Sequence, residues 1–137
     1  MISTDLYLKM LVSAHKSQGV KFVGKPEYIQ LDSYLDPSGG LTISEGVVIS
    51  TRVIILSHDW SWLKRVGNIE KYASRGAYSP VLIGPHTFIG AGVIILPGTT
   101  TGRNCIIGAG AVVKGSIPDY SIVIGNPATI IGTTTFV

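Results

Sequence analysis

The aliphatic residues of this chain recur at every sixth position. Written in hexads, the middle reads ISEGVV from Ile43, ISTRVI from Ile49 and ILSHDW from Ile55. A second block reads IGPHTF from Ile83, IGAGVI from Ile89, ILPGTT from Ile95, TGRNCI from Thr101, IGAGAV from Ile107 and VKGSIP from Val113. Only Thr101 departs from an Ile or Val at the first place. The fifth places (Val47, Val53, Thr87, Val93, Thr99, Cys105, Ala111, Ile117) are mostly small or β-branched, and Asp59 breaks that rule where the first block stops. A helix repeats at about 3.6 residues and an isolated strand at about two, so neither explains the pattern. A short strand followed by a tight corner does. Three such units make one coil of about 18 residues with three flat sides, and neighbouring coils stack at the ordinary strand spacing of about 4.8 Å. Gly84, Gly90, Gly102 and Gly108 follow the inward residue, where a corner leaves little room for a side chain. The expected fold is an all-β solenoid, a parallel β-helix of hexapeptide repeats.

The interruptions are as informative as the repeats. In residues 1–18, Leu6, Tyr7, Met10, Leu11 and Ala14 fall at helical spacing, Ser3 or Thr4 can cap the start, and Gly19 can stop the helix. This predicts a short helix capping an open end of the solenoid, where strand edges need cover. Residues 23–40 read as an imperfect first coil. Residues 59–80 carry no hexad signal and predict an extruded loop of about 22 residues, too long for a mere connection. It leaves after His58 and Asp59 and returns near Pro80. Its cations (Lys64, Arg65, Lys71, Arg75) outnumber its anions (Asp59, Glu70). If the loop preserves phase, Ile49, Ile89 and Ile107 share one side, and Ile55, Ile95 and Val113 another. Residues 119–137 are expected to close the last coil, with a turn at Asn126-Pro127-Ala128. The sixth-place residues Val48, Ile54, Ile94, Ile106 and Val112 should point outward as apolar stripes, the mark of an interface.

Composition narrows the class. At 137 residues, the chain reads as a single domain over 1–137, with about five coils over 23–132. With 45% apolar and 14% charged residues, it is not disordered. No apolar run approaches the length of a membrane span, and no signal-peptide order is present, so a cytoplasmic protein without stable membrane insertion is expected. A membrane-surface role for the cap helix finds few basic residues to support it. The net charge of +3 comes from scattered cations, which argues against nucleic acid and suits an anionic small partner. The single cysteine, Cys105, excludes an internal disulfide framework and a Cys-based zinc cluster. Its inward slot indicates core packing.

The segment IGAGVIILPGTTTGRNCIIGAGAVVKGSIPDYSIVIGNPATIIG, residues 89–132, closely resembles the C-terminal half of hexapeptide-repeat acyltransferases, and VLIGPHTFIG and GGLTISEGVVISTRVIILSHD look like the same family. The resemblance implies a left-handed β-helix, whereas the general rule for parallel crossovers would favour the right hand. It further implies transfer of acetyl from acetyl-CoA to a hydroxyl, most similar to the short O-acetyltransferases of saccharides, in a homotrimer whose active sites lie between subunits. Family members place a general-base histidine where the coil opens into the loop, which transfers to His58. Imidazole suits the task, because it can accept the attacking hydroxyl's proton at neutral pH and return it to the leaving thiolate. No residue at the site stands out as a nucleophile, so direct transfer is expected, without an acyl-enzyme.

The resemblance also implies that backbone at the stacked Gly90-Ala91-Gly92 and Gly108-Ala109-Gly110 corners, notably Ala91, Ala109 and Gly110, holds the pantetheine arm. An N–H at Ala91 would face the oxyanion. Corners need glycine for their own sake as well. Arg103 and Lys114 are candidates for the CoA phosphates, although the chain has Lys114-Gly115 where the family often has a Thr-Lys pair. Asp32 and Asp36, near Gln30 in the first coil, are candidates for the acceptor. Asp36-Pro37-Ser38-Gly39 also makes a good turn. Trp60 and Trp62 could stack on a sugar or anchor the loop. His86 reads as a surface corner, and His15 as a helix-end residue where a cation is favoured.

Gamma-type carbonic anhydrases share this fold and bind zinc through three histidines, two of them close in sequence. His15, His58 and His86 include no such pair, so no metal is expected. Two rivals remain: an amino-sugar N-acetyltransferase of the same fold, although no separate nucleotide-sugar domain is present, and a non-catalytic β-helix scaffold, against which His58 argues.

Overall fold

The structure is a computed structural model; it describes residues 1–64 and 77–136, with Trp62 described only by its backbone. The first coil is β1 (Lys21–Val23), β2 (Tyr28–Ile29) and β3 (Tyr34–Leu35). The second is β4 (Leu41–Ser44), β5 (Val48–Ile49) and β6 (Ile54–Ile55). The third is β7 (Val81–Ile83), β8 (Phe88–Ile89) and β9 (Ile94–Ile95). The fourth is β10 (Thr100–Thr101), β11 (Ile106–Ile107) and β12 (Val112–Val113). A last partial coil has β13 (Ser116–Ile117) and β14 (Ser121–Ile124), followed by β15 (Thr129–Thr133).

Like strands stack into three sheets, ordered β1-β4-β7-β10-β13, β15-β14-β11-β8-β5-β2 and β12-β9-β6-β3. Every pairing is parallel except β14 with β15. Three parallel sheets visited in rotation fit the β-helix that the period of six predicts. We call the bends after the first, second and third sheets the first, second and third corners.

The inward slots are filled as the pattern requires. Ile43, Ile49, Ile55, Ile83, Ile89, Ile95 and Ile107 are wholly buried. Ile89 pairs in register with both Ile49 and Ile107, and Ile95 with Ile55 and Val113, so the excursion between the second and third coils does preserve phase. Each such isoleucine contributes roughly 1.5–3 kcal/mol by leaving water. Thr101, the exception in the pattern, is buried because its hydroxyl accepts the Gly84 N–H at 2.9 Å. Cys105 is a free, buried core residue.

A helix packs at one end of the solenoid and an antiparallel strand follows its last coil. The helix α1 (Thr4–Gln18) starts at Ser3, whose side chain accepts the Leu6 N–H, and stops at Gly19, φ 107°. Its buried face differs from the expected one. Leu8, Tyr7, Leu11 and Val12 pack on the core, while Leu6 and Met10 face out. The Tyr7 hydroxyl donates to the Ile29 carbonyl at 2.8 Å, and its ring stacks on Tyr28. His15 also differs: burial lowers its pKa, so desolvation opposes the charge that the helix end would favour. At the other end the chain turns at residues 125–128 and β15 runs back antiparallel along β14. No helix among the described residues is long and apolar enough to cross a membrane.

Candidate active site

His58 stands at the third corner of the second coil, where the chain leaves the rod. The exit and return strands are zipped together there. His58 bridges Tyr78 in antiparallel fashion, the Asp59 N–H donates to Ala77, and the Ser79 N–H donates to Ser57 at 2.9 Å. The Asp59 carboxylate accepts the Ser61 N–H at the start of a short 3-10 turn, Ser61–Lys64. It does not serve His58.

Directly below, the third corner of the first coil places Asp36 against the histidine. The His58 Nδ1 lies 2.5 Å from Asp36 Oδ2 and 3.0 Å from Ser38 Oγ. Asp36 is 2% exposed and also accepts the Ser57 N–H and the Ser38 N–H. Ser57 Oγ donates to Asp36 and accepts the Gly39 N–H at 2.8 Å. Burial works against ionisation of Asp36. The hydrogen bonds from Ser38, Ser57 and His58 outweigh it and hold the carboxyl well below the usual carboxylate range. An ionised carboxylate can only accept, so Nδ1 carries a hydrogen, and in the neutral ring it is Nε2 that holds the lone pair. Asp36, expected as an acceptor candidate or a turn residue, is thus turned inward onto His58.

Asp32 is similarly occupied. Its carboxylate accepts the Thr51 hydroxyl at 2.6 Å and the Arg52 N–H at 3.1 Å, tying the first coil to the second. Trp60 and Tyr78, both exposed, meet edge to face at 5.6 Å beside His58. The sequence pointed to Trp60 and passed over Tyr78, which only the zipped neck brings alongside. The Trp62 side chain lies outside the described residues, as do loop cations 65, 71 and 75.

The two Gly-Ala-Gly corners stack as predicted, with the Gly110 N–H donating to Ala91 at 2.8 Å. A Cβ on Gly90 would lie 2.7 Å from Ala109 N, and Gly92 and Gly110 take φ 68° and 75°. Coil geometry alone therefore accounts for the glycines. The Gly90 and Gly92 N–H groups are taken by Ile107 and Thr51, whereas the Ala91 N–H has no acceptor among the described residues. These corners are second corners, at the far end of the third sheet from His58. At about 3.3 Å per extended residue, the six residues of one side hold His58 and the Ala91 N–H of one chain well apart. Lys114 lies on the third corner, in the His58 column two coils on. Arg103 lies on the first corner, apart from both, with its N–H bonded to Asp119. Among the described residues no group of three or more His, Cys, Asp or Glu side chains could hold a metal.

Residues 80–115 match the family model of the bacterial transferase hexapeptide (six repeats). A protein of Escherichia coli K12 assigned as the lipopolysaccharide biosynthesis O-acetyl transferase WbbJ is 32% identical over 110 residues, covering 75% of this chain and 56% of the relative. A protein of Mycobacterium tuberculosis assigned as an acetyltransferase is 58% identical over 53 residues, 39% of this chain and 18% of its own length. The chain thus spans less than two thirds of these relatives. Among solved structures, a maltose O-acetyltransferase from Clostridium difficile 630 superposes with TM-score 0.68 at 29% identity, covering 87% of this chain and 65% of that one. A galactoside acetyltransferase in complex with coenzyme A shares the fold, with TM-score 0.60 at 24% identity, covering 90% of this chain and 72% of that one.

Proposed function

We propose that this chain, which carries the bacterial transferase hexapeptide repeat, is an acetyl-CoA-dependent O-acetyltransferase built on a left-handed β-helix and acting on a sugar or saccharide hydroxyl in the cytoplasm. The observation that carries the reading is the Asp36–His58 pair at the mouth of the loop. Asp36 fixes the ring through Nδ1 and leaves Nε2 free to accept a proton. The acceptor hydroxyl attacks the thioester carbonyl carbon while Nε2 takes its proton. The carbon–sulfur bond then breaks, and the imidazolium returns that proton to the departing thiolate, giving an O-acetyl ester and free CoA. Asp36 is a positioning residue. The Ala91 N–H is the oxyanion donor, and the side-chain-poor second corners take the pantetheine arm. Lys114 is the phosphate contact that remains on the site's side of the rod.

Because His58 and Ala91 lie at opposite ends of one sheet, the site is completed between subunits of a homotrimer, His58 of one chain facing the second-corner groove of the next. The similarity to saccharide O-acetyltransferases favours a sugar acceptor, and the Trp60–Tyr78 pair offers it an aromatic wall. The test is acetyl-CoA-dependent release of free thiol with a panel of saccharides. His58→Ala should fold, since the side chain is partly exposed, and should lower turnover by about 10²–10⁴-fold. A mutant that acetylates at near wild-type rate would sink the mechanism.

A further inference from the structure

Between α1 and the start of the first coil lies an open cavity of about 490 Å³. It sits at the first corner, away from the column that bears His58. Its walls are Leu8, Val12, Phe22 and Pro26. That volume is in the range of small-molecule sites, about 300–1,000 Å³. Three lysines are among its lining residues, Lys9, Lys16 and Lys25. The Asp5 carboxylate bridges two of them, 2.8 Å from Lys9 and 3.0 Å from Lys25. Those two cations therefore already converge on one anion. Lys16 has no carboxylate partner among the described residues. The rim is left net positive over an apolar floor. The approach to it is apolar too: Leu6 and Met10 lie at i and i+4 on the exposed side of the helix next to Lys9 and are 48% and 57% exposed, and Ile2, just before the helix, is 59% exposed.

We propose that this cavity binds a single-chain anionic amphiphile, its alkyl chain against Leu8, Val12, Phe22 and Pro26 and its carboxylate or phosphate head on Lys9, Lys16 and Lys25. Each half of the site excludes a simpler occupant. A free phosphate would leave the apolar walls in water, and an uncharged alkyl chain would leave Lys16 without a partner and the net positive charge of the rim unbalanced. The cavity holds one chain, so the source is a monomeric amphiphile and not a bilayer.

The experiment is calorimetric titration of the full chain with sodium dodecanoate below its micellar concentration, with dodecyltrimethylammonium as the opposite-charge control. One saturable site per chain for dodecanoate alone is expected. Lys16→Glu should weaken it about tenfold by placing a like charge at the head. Asp5→Asn should tighten it, because the competing carboxylate is gone and Lys9 and Lys25 are released. A gain of affinity that keeps one dodecanoate per chain does not come from a damaged fold, which would take up several, so the pair of variants stays decisive if one is less stable. Equal binding of the cationic amphiphile, indifference to both substitutions, or binding confined to phosphatidylglycerol vesicles would each overturn the proposal.

Discussion

Asp36 is the residue on which the site's chemistry and the fold's acid stability meet. Replacing it with Asn keeps the shape but removes the ionised acceptor, so His58 loses the partner that fixes its tautomer. Asp36→Asn should therefore lower kcat by about 10²-fold or more while leaving the KM for acetyl-CoA unchanged. Its pKa is depressed in the folded state. The stability it contributes is thus complete above the unfolded carboxyl value of about 3.9 and is lost as pH falls through the lower folded value. Denaturation midpoints measured against pH should show wild type and Asp36→Asn drawing together below about pH 4. The position of His58 was legible in the sequence, because ILSHD sits where the hexads stop. Its partner was not. Asp36 belongs to an irregular coil, and the register that puts Tyr34 on Ile54 and Leu35 on Ile55 is longer than the regular step that puts Phe88 on Ile106. No repeat pattern would have placed Asp36 under His58.

Among the elements, the corners show how two glycines of one motif do different work. A Cβ on Gly110 would meet nothing within 4 Å, so Gly110→Ala bears only the strain of φ 75°, about 1–2 kcal/mol. Gly90→Ala must push its Cβ against the Ala109 backbone of the next coil. Chemical denaturation should rank Gly90→Ala as clearly the more damaging. Ile89→Ala, in the middle of the second sheet, should cost about 2–5 kcal/mol by the same measurement. The strands were readable from the period of six because one slot in six must be aliphatic to fill a triangular core. The helix was readable in extent but not in facing. Leu6 with Met10 and Leu8 with Val12 are both i, i+4 pairs, and only the contact with the first coil decides which is buried. The last coil escaped the pattern because its step is shorter, Thr101 pairing with Ile117, and because it ends in an antiparallel return.

At the scale of the whole molecule, the outward columns are the open question the rod poses to its neighbours. Tyr28, Val48, Phe88, Ile106 and Ile122 align down the second sheet, and Tyr34, Ile54, Ile94 and Val112 down the third. Phe88 and Ile106 remain 42% and 40% exposed. Two apolar faces meeting at the second corner are what a threefold contact would cover. Light scattering should give the mass of three chains, and a Phe88→Glu, Ile106→Glu double variant should dissociate and lose activity together. A mass near 14.5 kDa with activity retained would sink both the trimer and the shared site. The zipped neck has a consequence of its own. Ser57 and Ser79 are hydrogen-bonded neighbours, so the rod closes its second coil whatever hangs between them. The excursion is an exchangeable cassette on a fixed spindle. Under the proposed function, one acceptor can be traded for another there without retuning the pitch, the second-corner groove or His58.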